Sequence, residues 1–570
     1  MAFVDEFPSE ARISRLCFGV AFSSLLVGGL FGMIQALHRT GYFRGFVSST
    51  DYYTVLTAHG VLLALVFTIF FLCGIFTWAV TRSLNRPVVD MRFTYGWFAV
   101  MFLGTALAGF AIFGGFFGGW GLGITADVLF TFYPPLKAHP LFYIGLALFI
   151  VGTWLAGADW FRTYFAWRAD GNEDERIPLQ TFMVLATMLM WYLATIGVAI
   201  EVVFFLIPWS LGLIQTVDPL LMRTLFWYFG HPVVYFWLLP AYLVWYTVLP
   251  KLSGGRLFSD PLARVVFVLF ILLSTPVGFH HQYLDPGIAE GFKFVAMTNT
   301  MFLLLPSLLT AFTVVASMEH GARQRGATGR IGWLKSLPWD NPAFAGTALA
   351  GLMFAAGGFS GMINAGMNIN YLIHNTLWVP GHFHLTVGTA VALTFMSITY
   401  WLYPQVSGKR LRLYGLAQIQ PFVWFIGMVL MSNAMHRAGL LGVPRRTAEP
   451  QYDQVTFAGG VGGIGEMRFQ IAIGGTLLFI AVLMFFAVMF ATWLGHRGAQ
   501  PLRVNGAIPE PLSTADDSPR VLDNLRLWFA IAFVLVVLAY AVPIWALVSD
   551  GLLAPGSPPI SPGLVLPLFG

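Results

Sequence analysis

Two histidines stand two residues apart in the segment Val379-Pro380-Gly381-His382-Phe383-His384. Because each residue of an α-helix advances by about 100°, side chains at i and i+2 point to nearly opposite sides. One helix could therefore offer an imidazole to a flat cofactor on each side. Imidazole is an axial ligand of haem iron, and two irons held in this way would lie roughly 12–16 Å apart. The spacing favours two coupled redox centres that share one helix.

A second group of histidines has the composition of a metal site. His231, His280 and His281 supply three nitrogen ligands and leave coordination positions open, which suits copper or another late transition metal. His59 could then complete the axial ligation of one haem, so that the other haem stays five-coordinate and open to a gas. Tyr235 follows His231 by four residues, which puts both side chains on one helix face. A phenol beside a copper ligand can give both a proton and an electron.

These side chains belong to a chain with the composition of an integral membrane protein. Hydrophobic residues make up 57% of it and charged residues 10%, with a mean hydropathy of +0.74. An average globular chain carries about 25% charged residues. The positive net charge comes from basic loops, so we expect a lipid bilayer, and no nucleic acid, as a partner. Cys17 and Cys73 stand singly in apolar runs and predict buried filler rather than a Cys-x-x-Cys site.

Apolar runs of membrane-spanning length predict an all-α fold with about thirteen transmembrane helices. The connections after even-numbered spans carry more Lys and Arg than those after odd-numbered spans. The positive-inside rule then puts the N-terminus in the cytoplasm and the C-terminus outside. We expect residues 1–570 to form a single membrane-embedded bundle with an irregular tail at 548–570. The predicted spans are about 14–37, 53–80, 93–117, 140–166, 180–208, 220–249, 262–283, 294–318, 342–363, 371–403, 415–436, 469–495 and 524–547.

This topology brings the candidate ligands from spans 2, 6, 7 and 10 to one level in the outer half of the membrane. Imidazole buried in a lipid-spanning helix is costly, so four helices that deliver it to one level indicate a shared use. Pro276 is expected to kink span 7 and to re-aim the turn that carries His280 and His281. Five further histidines lie at span ends, where a solvated or headgroup-level position is expected: His38, His139, His320, His436 and His496.

Three segments together resemble subunit I of the haem–copper oxygen reductases, and the resemblance extends over nearly the whole chain. These segments are Gly230-His231-Pro232-Val233-Val234-Tyr235, Thr275-Pro276-Val277-Gly278-Phe279-His280-His281-Gln282 and His374-Asn375-Thr376-Leu377-Trp378-Val379-Pro380-Gly381-His382-Phe383-His384. The pattern is similar to the B-type branch of cytochrome c oxidases, because Val233 stands where the A-type pattern has Glu.

The resemblance implies a ligand set and a reaction. His59 and His384 would bind a low-spin haem b, and His382 a high-spin haem of the a or o type. One copper ion would be held by His231, His280 and His281, and His231 would be linked covalently to Tyr235. Dioxygen would be reduced to water, with Tyr235 contributing an electron and a proton. Electrons would come from cytochrome c through a dinuclear copper centre on subunit II, in the plasma membrane of a prokaryote.

Hydroxyl groups offer a proton path from the cytoplasm, which serves both chemical and pumped protons in the family. Tyr235, Tyr242 and Tyr246 form one stripe along span 6. Span 8 carries a second stripe of Ser307, Thr310 and Thr313, for which ordinary packing between membrane helices is the alternative interpretation.

The resemblance also assigns polar residues near the outer ends of the spans. Arg445 and Arg446 would be partners of haem propionates, with a solvated loop pair as the alternative. His374 would lie near the exit for pumped protons. Asn370 stands where relatives carry Asp, and an amide cannot take up a proton there.

Three other functions remain open on the sequence. A nitric oxide reductase shares the helical frame but lacks the equivalent of Tyr235 and carries glutamates near its iron, so Glu201 keeps this alternative open. A quinol oxidase would differ in the partner subunit. A non-catalytic transporter or haem carrier would explain the spans but not a three-histidine site beside a five-coordinate haem.

Overall fold

Long helices form nearly all of the ordered structure. The computed structural model describes residues 2–41, 46–448, 464–498 and 508–549, and thirteen long helices run through these ranges. They are α1 (Pro8–His38), α2 (Ser49–Leu84), α3 (Met91–Phe113), α4 (Pro140–Ala169), α5 (Leu179–Ser210), α6 (Pro219–Leu252), α7 (Asp260–Ser274), α8 (Glu290–Gln324), α9 (Pro342–Ala365), α10 (Trp378–Ser407), α11 (Tyr414–Leu440), α12 (Ile464–Trp493) and α13 (Leu525–Ser549).

Twelve of these helices are long and apolar enough to cross a membrane within the described ranges, against the thirteen expected. The exception is α7, which has only 15 residues. It ends before Pro276 instead of continuing through a kink, because proline lacks an N–H and disfavours helical geometry in the preceding residue. A separate 3₁₀ turn, Gly278–His281, follows and carries the histidine pair.

The start of the tenth predicted span also differs from the structure. The tenth span was expected to begin at residue 371, but α10 begins at Trp378, after a short helix, Met367–Ile373, and a connection that contains His374. The irregular tail predicted at 548–570 stays a prediction for residues 550–570, which lie outside the described ranges, while residues 548 and 549 still belong to α13.

The helices that carry the candidate ligands lie in the middle of the bundle. In an 18-residue window, 72% of α2, 89% of α6 and 83% of α10 is buried, against 28% of α13. A helix buried on all sides can present side chains to cofactors on more than one face.

Two of these helices contain a stretch of π-helix directly after a candidate ligand. Val61–Phe67 follows His59 and Gly60 in α2, and Thr386–Val391 follows His384 and Leu385 in α10. π-turns are rare and occur frequently at functional sites. Each one rotates the rest of its helix relative to the histidine.

Candidate metal centre

Three histidines from two elements meet in one cluster. His231 lies at the junction between Pro219–Gly230 and Pro232–Leu252, the two parts of α6. Pro232 cannot donate a helical hydrogen bond, which opens the helix at this point. His280 and His281 come from the 3₁₀ turn after α7, and one ring nitrogen of each of the three histidines lies within 4.8 Å of the others.

Hydrogen bonds select which nitrogen of each ring is free for a metal. The Nδ1–H of His280 donates to the hydroxyl of Thr300 at 2.9 Å, because that hydroxyl donates its own proton to the Ala296 carbonyl at 2.6 Å. Nε2 of His280 is therefore the free donor atom. Nδ1 of His231 faces Nε2 of His281 at 3.2 Å. Three neutral imidazole nitrogens that converge in this way fit a late transition metal with open positions.

Two aromatic side chains surround this cluster. The indole of Trp227 stacks on the ring of His281, with centroids 3.7 Å apart and planes 8° apart. Tyr235 lies 5.0 Å from His231 between ring centroids. Nε2 of His231 is buried and has no hydrogen-bond partner among the described residues. A bond from this atom to the Tyr235 ring would use the ring nitrogen that the described residues leave without a partner.

The rings of His59 and His384 face each other at a distance that would let both bind one iron atom between them. Their ring centroids are 6.3 Å apart and their planes differ by 17°. Two metal–imidazole bonds of about 2 Å plus the two ring radii span about 6 Å. Nδ1 of His59 donates to the Gly28 carbonyl at 2.8 Å, and Nδ1 of His384 to the Pro380 carbonyl at 2.7 Å. Both Nε2 atoms are therefore free, and the pair fits bis-histidine ligation of a haem.

A cavity of about 290 Å³ lies around this pair. Gly32 of α1 contributes to its wall, and a Cβ at that position would come within 2.7 Å of the His59 ring. Arg445 and Arg446 line the same cavity, so two cations lie beside the candidate haem site. Burial of the guanidinium and the neighbouring Arg446 lower the pKa of Arg445 to about 9. Two half-buried arginines with no carboxylate partner among the described residues fit an anionic group of a cofactor.

His382 turns to a different element from His384. Its Nδ1 lies 2.9 Å from the Gly357 carbonyl and 2.9 Å from the Ser360 hydroxyl, both on α9. Nε2 of His382 is therefore free to bind a metal, as are the Nε2 atoms of His59 and His384. His384 faces His59, whereas His382 bonds to α9, so the two rings of α10 contact different helices, as the i, i+2 spacing predicts.

One hydrogen bond joins the tyrosine stripe of α6 to the Ser/Thr stripe of α8. Tyr246 and Thr310 are hydrogen-bonded at 2.6 Å between hydroxyl oxygens. Tyr242 is fully buried and its hydroxyl has no partner among the described residues. Ser307 and Thr313 donate to carbonyls of their own helix, at Leu303 and Leu309.

A polar cavity of about 550 Å³ reaches Tyr246 from the other end of the stripe. Its lining includes Gln180, Thr247 and Glu510, from α5, α6 and the segment before α13. Charged and amide side chains at this end, and the buried Tyr242 hydroxyl further in, are groups that hydrogen-bond water.

The remaining polar residues lie in the connections next to the cluster. Nδ1 of His374 is 3.2 Å from Oδ1 of Asn370, whose amide donates to the Asn364 carbonyl at 2.7 Å. Burial and the positive charge of Arg445 and Arg223 lower the pKa of His374 to about 4. Arg445 donates to Asn375 at 2.9 Å.

Two acidic residues have contrasting surroundings. Asp285 forms an ion pair with Arg223, at 2.8 Å. Glu201 is fully buried, and both its carboxylate oxygens lack a hydrogen-bond partner within the described ranges. It does not belong to the group of described residues that could hold a metal ion, which consists of histidines alone.

Some contacts of the site could not be expected from the sequence. Thr300, Ser360 and Trp227 each bind or cover a candidate ligand, yet no motif marks them. His38 was expected at a solvated or headgroup level, but it is buried and its Nε2 lies 2.8 Å from the Ala448 carbonyl.

Comparison with known proteins gives a consistent set of relatives. Residues 12–477 match the family model described as cytochrome c and quinol oxidase polypeptide I. The chain is 44% identical to cytochrome c oxidase subunit 1 of Thermus thermophilus over 91% of this chain and 92% of that protein. It is 26% identical to an alternative cytochrome c oxidase subunit 1 of Bradyrhizobium diazoefficiens, over 78% and 76% of the two chains. A solved heme-copper terminal oxidase dimer superposes with a TM-score of 0.86 at 35% identity, covering 94% of this chain and 92% of its own.

Proposed function

This chain belongs to the cytochrome c and quinol oxidase polypeptide I family and is the oxygen-reducing subunit of a membrane-bound cytochrome c oxidase, and from that premise we propose how its residues divide the reaction. The family uses haem and copper. His231, His280 and His281 hold one copper ion, His382 binds a high-spin haem of the a or o type, and His59 and His384 bind a low-spin haem b. The observation that carries this proposal is the convergence of three imidazoles, with donor nitrogens within 4.8 Å of one another.

When bound, the high-spin haem iron and the copper would supply electrons to dioxygen. Tyr235 supplies one further electron and one proton from the same helix face as His231. A covalent link between Nε2 of His231 and the Tyr235 ring is supported by the burial of that nitrogen without a partner. The link would keep the phenol beside the metal through every turnover, since it fixes the distance between the two rings.

Electrons arrive from cytochrome c through a dinuclear copper centre on subunit II. This chain does not supply such a centre, since Cys17 and Cys73 are its only cysteines, and both are buried and separate. From the low-spin haem the electrons would cross α10, on which His384 faces His59 and His382 bonds to α9. Only Phe383 stands between these two histidines in the sequence, so the path between the two haem sites would be short.

Protons enter from the cytoplasm through the cavity that ends at Tyr246. They pass Thr310, at 2.6 Å from the Tyr246 hydroxyl, and the buried hydroxyl of Tyr242 before they reach Tyr235. Ser307 and Thr313 flank this path on α8. Water held by the polar lining bridges the intervals between hydroxyl groups.

Arg445 and Arg446 bind the haem propionates, which is supported by their place in the wall of the cavity around His59 and His384. His374 and Asn370 lie beside them and form the outer end of the path for pumped protons. Asn370 only orients His374, because an amide has no proton to release at neutral pH.

The multi-pass membrane character follows from the fold, and we propose the plasma membrane of a prokaryote as its location. Residues 1–570 form one bundle with the N-terminus in the cytoplasm and the C-terminus outside. This orientation puts Tyr246 and the polar cavity on the cytoplasmic side of the metal centre.

Metal analysis with difference spectroscopy of the purified complex tests the proposal. We expect two haems and one copper in this subunit, with carbon monoxide bound to only one haem in the reduced-minus-oxidised and CO-difference spectra. A third, non-haem iron in place of copper would instead support a nitric oxide reductase. Carbon monoxide bound to both haems would contradict the assignment of His59 and His384 to one iron.

A further inference from the structure

Helix α13 lies outside the part of the chain that the family model matches, which ends at residue 477. Most of this helix faces away from the bundle, yet Tyr540 is only 2% exposed. A tyrosine that is buried usually finds a partner for its hydroxyl. The partner of Tyr540 is the backbone of the turn that carries His280 and His281.

The N–H of Gly278 donates to the Tyr540 hydroxyl at 2.7 Å. This N–H needs an external partner because α7 has already ended at Ser274 and Pro276 interrupts the helical hydrogen bonds. Gly278 is the first residue of the 3₁₀ turn, so the bond holds the point where that turn begins. A Cβ at position 278 would overlap the Tyr540 hydroxyl and the Trp227 carbonyl, and the approach therefore requires glycine.

The ring of Tyr540 touches both sides of the metal centre. Its centroid is 4.9 Å from that of Phe279, the neighbour of His280, and 4.7 Å from that of Tyr228 on α6. Tyr228 precedes the ligand His231 by three residues and follows Trp227, which stacks on His281. One side chain of α13 therefore contacts the segments that carry all three histidines.

We propose that Tyr540 is a positioning residue for the copper ligands, which fixes the 280–281 turn against α6. The proposal rests on the assignment of copper to His231, His280 and His281. Outer contacts that orient metal ligands typically change metal affinity by 10–100-fold when they are removed. Tyr540 acts through the backbone, so we expect an effect near the lower end of this range.

Tyr540→Phe in the complete oxidase complex tests the role of the hydroxyl, since the ring and its packing remain. We expect copper to be lost to a chelator about 10-fold faster than from the parent enzyme. Deuterium exchange of the peptide that contains Gly278 should also become faster. Val536→Ala is the matched control, because Val536 is buried on the same helix and its truncation loosens α13 without removing the hydrogen bond.

The outcomes separate this proposal from the assignment of copper. A parent enzyme without copper would refute that assignment, while the exchange of the Gly278 peptide would still decide whether Tyr540 holds the turn. Unchanged exchange and copper retention in Tyr540→Phe would overturn the positioning role. Equal copper loss in Tyr540→Phe and Val536→Ala would also overturn it, since the effect would then come from general loosening of α13.

Discussion

The Ser360 hydroxyl oxygen lies 2.9 Å from Nδ1 of His382, and both atoms also lie 2.9 Å from the Gly357 carbonyl oxygen. The three groups form a triangle on the side of the imidazole that faces away from the candidate haem. Donation from Nδ1–H to such acceptors makes the opposite nitrogen a stronger ligand. Because a single N–H is shared between two acceptors, the serine adjusts the ligand strength of His382 without being required for its orientation.

Ser360→Ala should weaken the bond between His382 and the high-spin haem iron, since one acceptor is lost. We expect a lower iron–histidine stretching frequency in the resonance Raman spectrum of the reduced enzyme, with the low-spin haem spectrum unchanged. Ser397→Ala is a suitable control, because Ser397 is buried on α10 and its hydroxyl has no partner within the described part of the chain. An unchanged frequency in Ser360→Ala would mean that Gly357 alone accepts the proton.

His231→Ala should remove the copper and spare the low-spin haem. The remaining pair, His280 and His281, offers only two nitrogens, which is too few for stable binding in a site built from three. His59 and His384 lie on other helices and keep their ring geometry. Metal analysis together with the reduced-minus-oxidised spectrum measures both effects. Full copper content in this variant would show that another residue completes the site.

Thr300→Val should weaken copper binding with all three ligands still present. The buried Nδ1–H of His280 would lose its acceptor, and an unsatisfied buried donor costs about 1–3 kcal/mol. We expect copper affinity to fall by about 10-fold or more, measured by competition with a chelator. Thr298→Val on the same helix is the control, since its exposed hydroxyl donates only to the Phe294 carbonyl. Equal affinities of the two variants would exclude a role for the Thr300 hydroxyl.

The sequence predicts the grouping of the candidate ligands better than it predicts the elements that hold them. His59, His231 and the pairs at 280–281 and 382–384 are recognisable because imidazole is rare in lipid-spanning helices and their spacing has a chemical meaning. The helix order and twelve of the thirteen spans follow from apolar runs alone. The short α7 does not, because Pro276 can either kink a helix or end it, and tertiary contacts decide which.

The groups that orient the ligands depend on contacts between distant parts of the chain. Thr300 meets His280 and Ser360 meets His382 only once the helices have packed, and both are ordinary residues of a membrane helix. The same holds for His38, which contacts Ala448 across 410 positions of the sequence. The π-turns after His59 and His384 could not be predicted from the local sequence either. A π-turn closes its hydrogen bond over one residue more than an α-helical turn, and no fixed sequence pattern marks it.

Thr310→Val should slow proton delivery because it removes the only hydroxyl bonded to Tyr246 among the described side chains. Valine keeps the volume of threonine, so packing between α6 and α8 should persist. We expect steady-state oxygen consumption to fall by about 10-fold or more, while electron transfer to the low-spin haem stays fast. The control is Thr347→Val, since Thr347 is buried on α9 and donates only to its own helix at Ala343. Equal turnover in both variants would argue for another route for protons.

Tyr235→Phe should nearly abolish oxygen reduction while the haems and the copper are retained. Phenylalanine fills the same space 5.0 Å from His231 but has no hydroxyl proton and is not readily oxidised. Loss of a group that supplies a proton in the transition state typically costs about 100-fold or more in rate. Oxygen consumption, metal content and the mass of the peptide that joins residues 231 and 235 measure the three parts of this prediction. If the variant turned over at the parental rate with full copper content, the electron and the proton would have to come from another side chain. Tyr242 is then the next phenol along α6, and the double variant would identify it.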